Sequence, residues 1–348
     1  MLHHVYNRAG SVFDLAISRA LFGRSKAARG RSRSESLGHL ERMAALERMA
    51  ATWDAAAEKP DFFADPAPIA PRLSLLRTRD GAQVFDATWP SSFAIADGAV
   101  AERYGERTEN RSAAARLFLH PEPRPTVILI HGYRGGHFAL EEPSWPLRFM
   151  LARGLDVALF VLPFHGVRAT PGRSPFFPSS DPRITNEAFR QSVLDLRALA
   201  AFLRGRGAPA VGVMGMSLGG YTTALAATVD DALAFAVPII PLASLADIAH
   251  EGGRFVGTPD EQQLQRAALE RAHRTVSPLQ RASRLAPDRV LVVAASGDRI
   301  TPVHHAQRLA AHFGAPIAEF AGGHLLQFGR ADGFRAAFRM LGKLGYLR

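Results

Sequence analysis

Along most of the chain, short apolar runs rich in Val, Ile, Leu and Ala alternate with longer stretches whose apolar residues recur every three or four positions. The first pattern suits strands of a sheet buried on both faces, and the second suits amphipathic helices laid over it. Thr126 to Ile130 is a continuous apolar run, and Asp156 to Leu162, Ala210 to Met214, Ala234 to Ile239, Val290 to Ala295 and Pro316 to Phe320 are further strand-like segments. Gln83 to Trp89 alternates like a half-buried strand, and Ala113 to His120 is a further candidate. Trp145 to Arg153, Asn186 to Arg204 and Tyr221 to Val229 carry helical periodicity between them. Strands alternating with helices imply a mostly parallel sheet with right-handed crossovers, so the predicted class is α/β.

Two segments stand outside this alternation. From Val5 to Phe22, the residues Val5, Ala9, Val12, Phe13, Ala16, Ile17, Ala20 and Leu21 fall at helical spacing, with Arg8, Asp14 and Arg19 elsewhere on the wheel. The stretch Arg24 to Ser36 follows as a basic linker carrying Arg24, Lys26, Arg29, Arg31 and Arg33, and Leu37 to Lys59 is again helical. Residues 1–60 therefore read as a basic helical extension ahead of a main domain at 61–348. The apolar face of the first helix has two readings: it packs on the main domain, or, with the basic run, residues 1–36 dock on an anionic membrane surface. The second segment is 241–288, longer than an ordinary crossover, with a polar helix at Pro259 to Val276; it reads as a cap beside the pocket or as an elaborate surface crossover with no contact to substrate.

Composition narrows the function classes. A 47% hydrophobic content supports a real core in 348 residues, and the absence of cysteine excludes disulfides, thiolate catalysis and Cys-based zinc sites. A formal charge of +10 raises the question of a polyanionic partner. No zinc-finger spacing, RNP-like motif or helix-turn-helix pattern accompanies it, so nucleic acid is not expected as a partner. The first residues lack a secretory arrangement, and the longest apolar run, Ala232 to Ala243, is short and holds Pro238 and Pro241. A cytoplasmic location with peripheral membrane contact at most is the expectation.

The chemistry lies in the turns after the predicted strands. Gly215-Met216-Ser217-Leu218-Gly219 is a Gly-x-Ser-x-Gly motif set between a strand and a helix, where crowding demands small flanking residues and the serine is presented in a strained turn. A serine hydroxyl needs a base to take its proton and an acid to orient that base, here in the chain order Ser, Asp, His. Asp298, in Ser296-Gly297-Asp298-Arg299, follows the strand ending at Ala295, and His324, in Gly322-Gly323-His324, follows the strand ending at Phe320. Ser217 is thus the expected nucleophile, His324 the base and Asp298 the acid. The backbone amides of Tyr133, in His131-Gly132-Tyr133-Arg134-Gly135-Gly136, and of Leu218 are the expected oxyanion donors.

Other residues compete for these roles or for the substrate. His165 is the chief rival to His324 and is read as a substrate or loop contact; Asp195 is the chief rival to Asp298, but mid-helix before the nucleophile. His131 is expected to hold its own loop, and His304, His305 and His312 to be surface or capping residues. Arg168, with Arg173, is a candidate for an anionic substrate, and Met216, Trp145 and Phe164, with Phe176 and Phe177, for apolar contacts.

From about Thr126 to the C-terminus, the motifs HGYRGG, GMSLGG, SGDRITP and GGH make the chain resemble the α/β-hydrolase superfamily. The stretches DATWPSSF, PFHGVR and GMSLGGY also resemble a little-characterised branch of the α/β-hydrolase domain-containing proteins, formerly grouped as a domain of unknown function. The resemblance implies an eight-stranded sheet, a Ser-His-Asp triad and carboxylic ester hydrolysis, with no metal or cofactor; the expected partner is a small-molecule or lipid acyl ester. It does not carry a substrate identity, and the N-terminal extension departs from the minimal pattern.

Overall fold

The computed structural model of the chain describes residues 2–18, 38–58 and 62–348. Its strands are β1 (Arg72–Arg79), β2 (Ala82–Pro90), β3 (Ser112–Leu119), β4 (Thr126–Ile130), β5 (Asp156–Phe160), β6 (Val211–Met216), β7 (Ala236–Ile239), β8 (Val292–Ala295) and β9 (Ile317–Phe320). They form one sheet in the order β1-β2-β3-β5-β4-β6-β7-β8-β9. Pairing is antiparallel from β1 through β3 to β5 and parallel from β5 to β9. The described helices are α1 (Leu2–Ser18), α2 (His39–Ala57), α3 (Ala101–Gly105), α4 (Phe138–Ser144), α5 (Leu147–Ala152), α6 (Pro182–Gly205), α7 (Leu218–Ala227), α8 (Leu245–Glu251), α9 (Pro259–His273), α10 (Val303–Phe313) and α11 (Arg330–Lys343).

The sheet has nine strands where eight were expected, and β1 is the addition. It lies at the sheet edge with most side chains exposed, and its pairing with β2 slips between Leu75 and Arg77. The bulge destroys the two-residue alternation, and its arginines are what an edge strand carries to deter further pairing.

Helices cover both faces. Along β4, Val127 and Leu129 enter the layer of Leu147 and Met150 from α5 and Phe334 and Phe338 from α11. Ile128 and Ile130 enter the opposite layer, with Phe189 of α6, Tyr221 of α7, Leu309 of α10 and Trp53 of α2. Registry then sets the site. Ile130 lies opposite both Phe160 and Gly215, Met216 opposite Ile239, and Ala295 opposite Phe320, so the loops after these strands leave the sheet at one edge.

The N-terminal helices attach in different places. α2 buries Ala50 and Trp53 and pairs Glu47 with Arg271, and Asp54 with Arg274 at 2.7 Å, on or just after α9 of the 241–288 segment. That segment also meets α6, where the Asn186 amide donates to the Ala272 carbonyl at 2.8 Å. α1 meets the loops after β8 and β9 instead, and it does so with its polar face, which corrects the reading in which the apolar face packs on the main domain. Asn7, Gly10, Ser11 and Asp14 turn inward, while Val5, Val12 and Leu15 are 55%, 67% and 45% exposed. The basic run Arg24 to Ser36 lies outside the described residues. Among the described residues no helix is long and apolar enough to cross a membrane.

Candidate active site

Ser217 stands between β6 and α7 with φ 56° and ψ −114°, a conformation that residues with a side chain adopt only under constraint. The constraint is visible: the Ser217 amide donates to the Ile239 carbonyl at 2.9 Å, and the backbones around it are in contact. A Cβ at Gly215 would lie 2.2 Å from the Gly219 carbonyl oxygen, and one at Gly219 would lie 2.3 Å from that of Ile130. No other residue fits at either position.

Three side chains distant in the sequence converge on this turn. His324 Nε2 lies 2.9 Å from Ser217 Oγ, and His324 Nδ1 lies 2.7 Å from Asp298 Oδ2. Asp298 is itself held by the amides of Ile300 and Thr301, each donating to Oδ1 at 2.8 Å. The Thr301 hydroxyl is 3.0 Å from Asp298 Oδ2, from His324 Nδ1 and from the Ile240 carbonyl, so it ties the acid loop to the end of β7. Burial alone would lower the pKa of the His324 ring. The neighbouring Asp298 carboxylate and, secondarily, Asp14 overcome this and leave it raised above the ordinary histidine value.

Across the turn, the glycine-rich loop after β4 approaches the serine. A Cβ at Gly132 would be 3.4 Å from Ser217 Cβ. The loop is fixed by His131, whose Nδ1 donates to the Gly132 carbonyl at 2.7 Å and whose Nε2 accepts from the Leu162 amide at 3.1 Å. Burial drives the His131 pKa down to about 4, so the ring stays neutral and keeps this tautomer. Glu141 of α4 closes the loop by accepting from the Gly136 amide at 2.9 Å. Among the described residues, the Tyr133 and Leu218 amides have no recorded acceptor.

A family model described as alpha/beta hydrolase family matches residues 127–337, more than half of the chain. The chain belongs to the alpha/beta hydrolase family. Two proteins from different strains of Mycobacterium tuberculosis, both described as uncharacterised, are 30% identical to this hydrolase over 279 residues, or 77% of its length. The match spans 66% of those relatives, just under two thirds of their own length. Among solved structures, an acetyl xylan esterase from a Thermoanaerobacterium species superposes with a TM-score of 0.56 at 17% identity, covering 85% of this chain and 93% of that one. Another, from a Paenibacillus species, gives 0.55 at 16% identity and covers 86% and 94%. Identities this low speak to the fold alone.

The remaining predicted residues of the hydrolase divide into those at the sheet edge that carries Ser217 and those inside it. Met216 is half-buried directly before Ser217, and Tyr133 is exposed on the glycine-rich loop. His165 is buried beside both His131 and Tyr133, with ring centroids 5.1 and 6.0 Å away. Its Nδ1 donates to the Pro163 carbonyl at 2.8 Å, and its Nε2 has no partner among the described residues. Burial lowers its pKa to about 3, so a neutral acceptor nitrogen stands close to the glycine-rich loop.

Three expected substrate contacts are corrected. Arg168 is buried and faces inward: it pairs with Asp195 at 2.8 Å and donates to the carbonyls of Val161 and Asn110. The same pairing takes Asp195 out of contention as the acid. Trp145 is buried in the layer of α11, with Phe334 at 6.1 Å, and Phe164 is buried between Tyr104 and Phe176 at 4.8 and 5.5 Å. Both rings serve the core. Arg173 is exposed.

His305 is also corrected, because it is fully buried and its Nδ1 accepts from the Ala243 amide at 3.1 Å. With His304 and Glu251 it forms a group of metal-ligand type. The accepting Nδ1 leaves the proton of the neutral ring on Nε2, which faces Glu251 at 3.4 Å, so that nitrogen has no lone pair to offer a cation. Two residues that sequence reasoning missed as partners of the Asp298 and His324 loops are Thr301 and Asp14. The amides of Arg299, His324 and Leu325 all donate to the Asp14 carboxylate, at 3.2, 2.6 and 3.0 Å.

Proposed function

We propose that this α/β hydrolase is a serine hydrolase that cleaves carboxylic esters through an acyl-Ser217 intermediate. The observation that carries the reading is the unbroken chain of short contacts from Ser217 Oγ through His324 to Asp298, at 2.9 and 2.7 Å. His324 Nε2 takes the Ser217 proton as Oγ bonds to the ester carbonyl carbon, and the Tyr133 and Leu218 amides receive the oxyanion. Collapse breaks the bond to the alcohol, which leaves with the proton held by His324. A water then gives its proton to His324, its oxygen bonds to the acyl carbon, and the carboxylic acid is released as Ser217 recovers its proton.

A fluorophosphonate probe, which phosphonylates an activated serine, tests the assignment directly. The wild-type protein should label and hydrolyse p-nitrophenyl esters, and Ser217→Ala should do neither. Labelling that survives Ser217→Ala would reject the site. Peptide amides turned over in preference to esters would move the reading to an amidase or peptidase using the same triad, and a folded wild-type protein inert to both would leave a non-catalytic binding protein.

A second reading is favoured by the outward apolar face of α1. Val5, Val12, Phe13 and Leu15 are exposed on the helix that abuts the catalytic histidine, and five basic residues follow in Arg24 to Ser36. Apolar surface beside clustered positive charge suits an anionic lipid interface, which would make the substrate a membrane ester. Co-sedimentation with phosphatidylglycerol vesicles should be strong at low salt and weakened by Phe13→Asp. Equal binding by that variant, or a stable dimer through this face, would remove the reading.

A further inference from the structure

The catalytic histidine is held from outside the hydrolase body. Its own loop and the loop of Asp298 touch directly through the His324 ring, which meets Asp298 and Thr301, and through the Gly297 amide, which donates to the Gly322 carbonyl at 2.8 Å. Every other observed link between them through α1 comes from that helix's inward face. Asn7 Oδ1 accepts from the Gly322 amide at 2.8 Å, the Ser11 hydroxyl donates to the Gly297 carbonyl at 2.7 Å, and Asp14 accepts from Arg299 in one loop and from His324 and Leu325 in the other. Asp14 has no exposed surface. A buried carboxylate is costly unless several donors satisfy it, and these three amides would lose their acceptor if it left.

Sterics make the same point independently. A Cβ at Gly10 would lie 2.2 Å from the Gly323 amide nitrogen, one at Gly297 would lie 2.7 Å from the Asn7 carbonyl oxygen, and one at Gly323 would lie 2.6 Å from Asp14 Oδ2. Three glycines on three segments are what let a helix backbone enter this close. A helix docked by side-chain packing alone would not need them.

We propose that Asp14 is a positioning residue for His324: from α1 it clamps the acid loop and the histidine loop in register, making the N-terminal helix a working part of the catalytic apparatus. The proposal rests on the serine-hydrolase reading. Two carboxylates act on the imidazole, Asp298 from the loop after β8 and Asp14 from α1, while the Arg299 side chain next to them is exposed to solvent. Both raise the pKa of the ring. The neutral ring is the competent base, so activity should rise with pH through a value above the ordinary 6.5 of histidine.

The test compares the full-length wild type with Asp14→Asn and Gly10→Ala, following kcat and KM for a p-nitrophenyl ester and the rate of fluorophosphonate labelling across pH 5 to 9. Asp14→Asn should lower kcat roughly ten- to a hundredfold, the scale expected when a reacting group is misplaced by about an ångström, with KM little changed. Its acid limb should move to lower pH, because a charge that favours the protonated ring has gone. Gly10→Ala pushes the helix off the same loops and should also lower kcat, which keeps the question open to experiment if Asp14→Asn does not fold. Wild-type kcat and an unmoved acid limb in folded Asp14→Asn would overturn the proposal while leaving the triad intact; so would a loss confined to thermal stability. A wild-type protein inert to ester and probe alike would instead sink the serine-hydrolase reading and this inference with it.

Discussion

α1 and α2 are neighbours in sequence and both precede the hydrolase body, yet they join it by opposite means. α2 behaves as an amphipathic helix is expected to: Trp53 and Ala50 go into the core, Trp53 meets Phe62 edge-to-face at 6.0 Å, and ion pairs to Arg271 and Arg274 line the rim. α1 puts Asn7, Ser11 and Asp14 against backbone amides and carbonyls of the Asp298 and His324 loops and leaves its apolar side out. Burial of apolar area is non-directional and tolerates small displacements, whereas hydrogen bonds to named amides fix position within tenths of an ångström. On the proposed reading, α2 contributes chiefly to stability and α1 chiefly to geometry.

The largest effect is expected at Asp298. Asp298→Asn should leave the fold in place and reduce kcat by about 10⁴, as loss of the orienting acid does in other Ser-His-Asp enzymes. Against this background Asp14→Asn should cost much less than it does in the wild type, since both changes act through His324 and effects within one unit are not additive. A double-mutant cycle on kcat measures this. Full multiplicative losses would mean that Asp14 acts independently of the triad, and α1 would lose its distinction from α2.

The two helices also differ in how far the sequence reveals them. Gly215, Ser217 and Gly219 are legible because the turn's crowding leaves no alternative, and Asp298 and His324 because each follows a strand-like segment that becomes a strand of the same sheet. Periodicity groups Val5, Ala9, Val12 and Phe13 on one side of α1, but it does not say which side turns inward. Here the amides of the histidine loop, which no pattern in residues 1–20 announces, attract the polar side. Arg168 is misread for a similar reason: a basic residue in a loop looks solvated until the fold brings up Asp195 from α6. Trp145 and Phe164 look like pocket aromatics because they sit near strand ends, and only packing against Phe334 and Tyr104 assigns them to the core. β1 escapes notice because its bulge erases the alternation that betrays β2.

On the α2 side, the next effect in size is thermodynamic. Trp53→Ala should destabilise the protein by about 3–5 kcal/mol through lost burial and the cavity left behind, visible as a fall in the urea midpoint and in Tm. Trp53→Phe should be milder, because the indole Nε1 has no partner among the described residues and its removal breaks no hydrogen bond. The fraction still folded should keep the wild-type kcat when active sites are counted with the fluorophosphonate probe. A Trp53→Ala protein that is stable but slow would place α2 in the catalytic apparatus after all.

The smallest effect belongs to the rim of α2. Glu47 and Arg271 pair with about half of each side chain exposed, so water and salt screen the attraction and ordering two long side chains offsets much of it. Glu47→Ala should therefore change the unfolding free energy by less than about 1 kcal/mol, with the difference shrinking further between low and high salt. It should leave kcat and the acid limb of the pH profile where they are. Asp14 is also a carboxylate on an N-terminal helix, but it is buried against the histidine loop; Glu47→Ala is thus the charge-removal control that separates an effect of position from an effect of charge alone. If removing the Glu47 carboxylate moved the acid limb as far as removing that of Asp14, long-range electrostatics rather than the clamp would account for both.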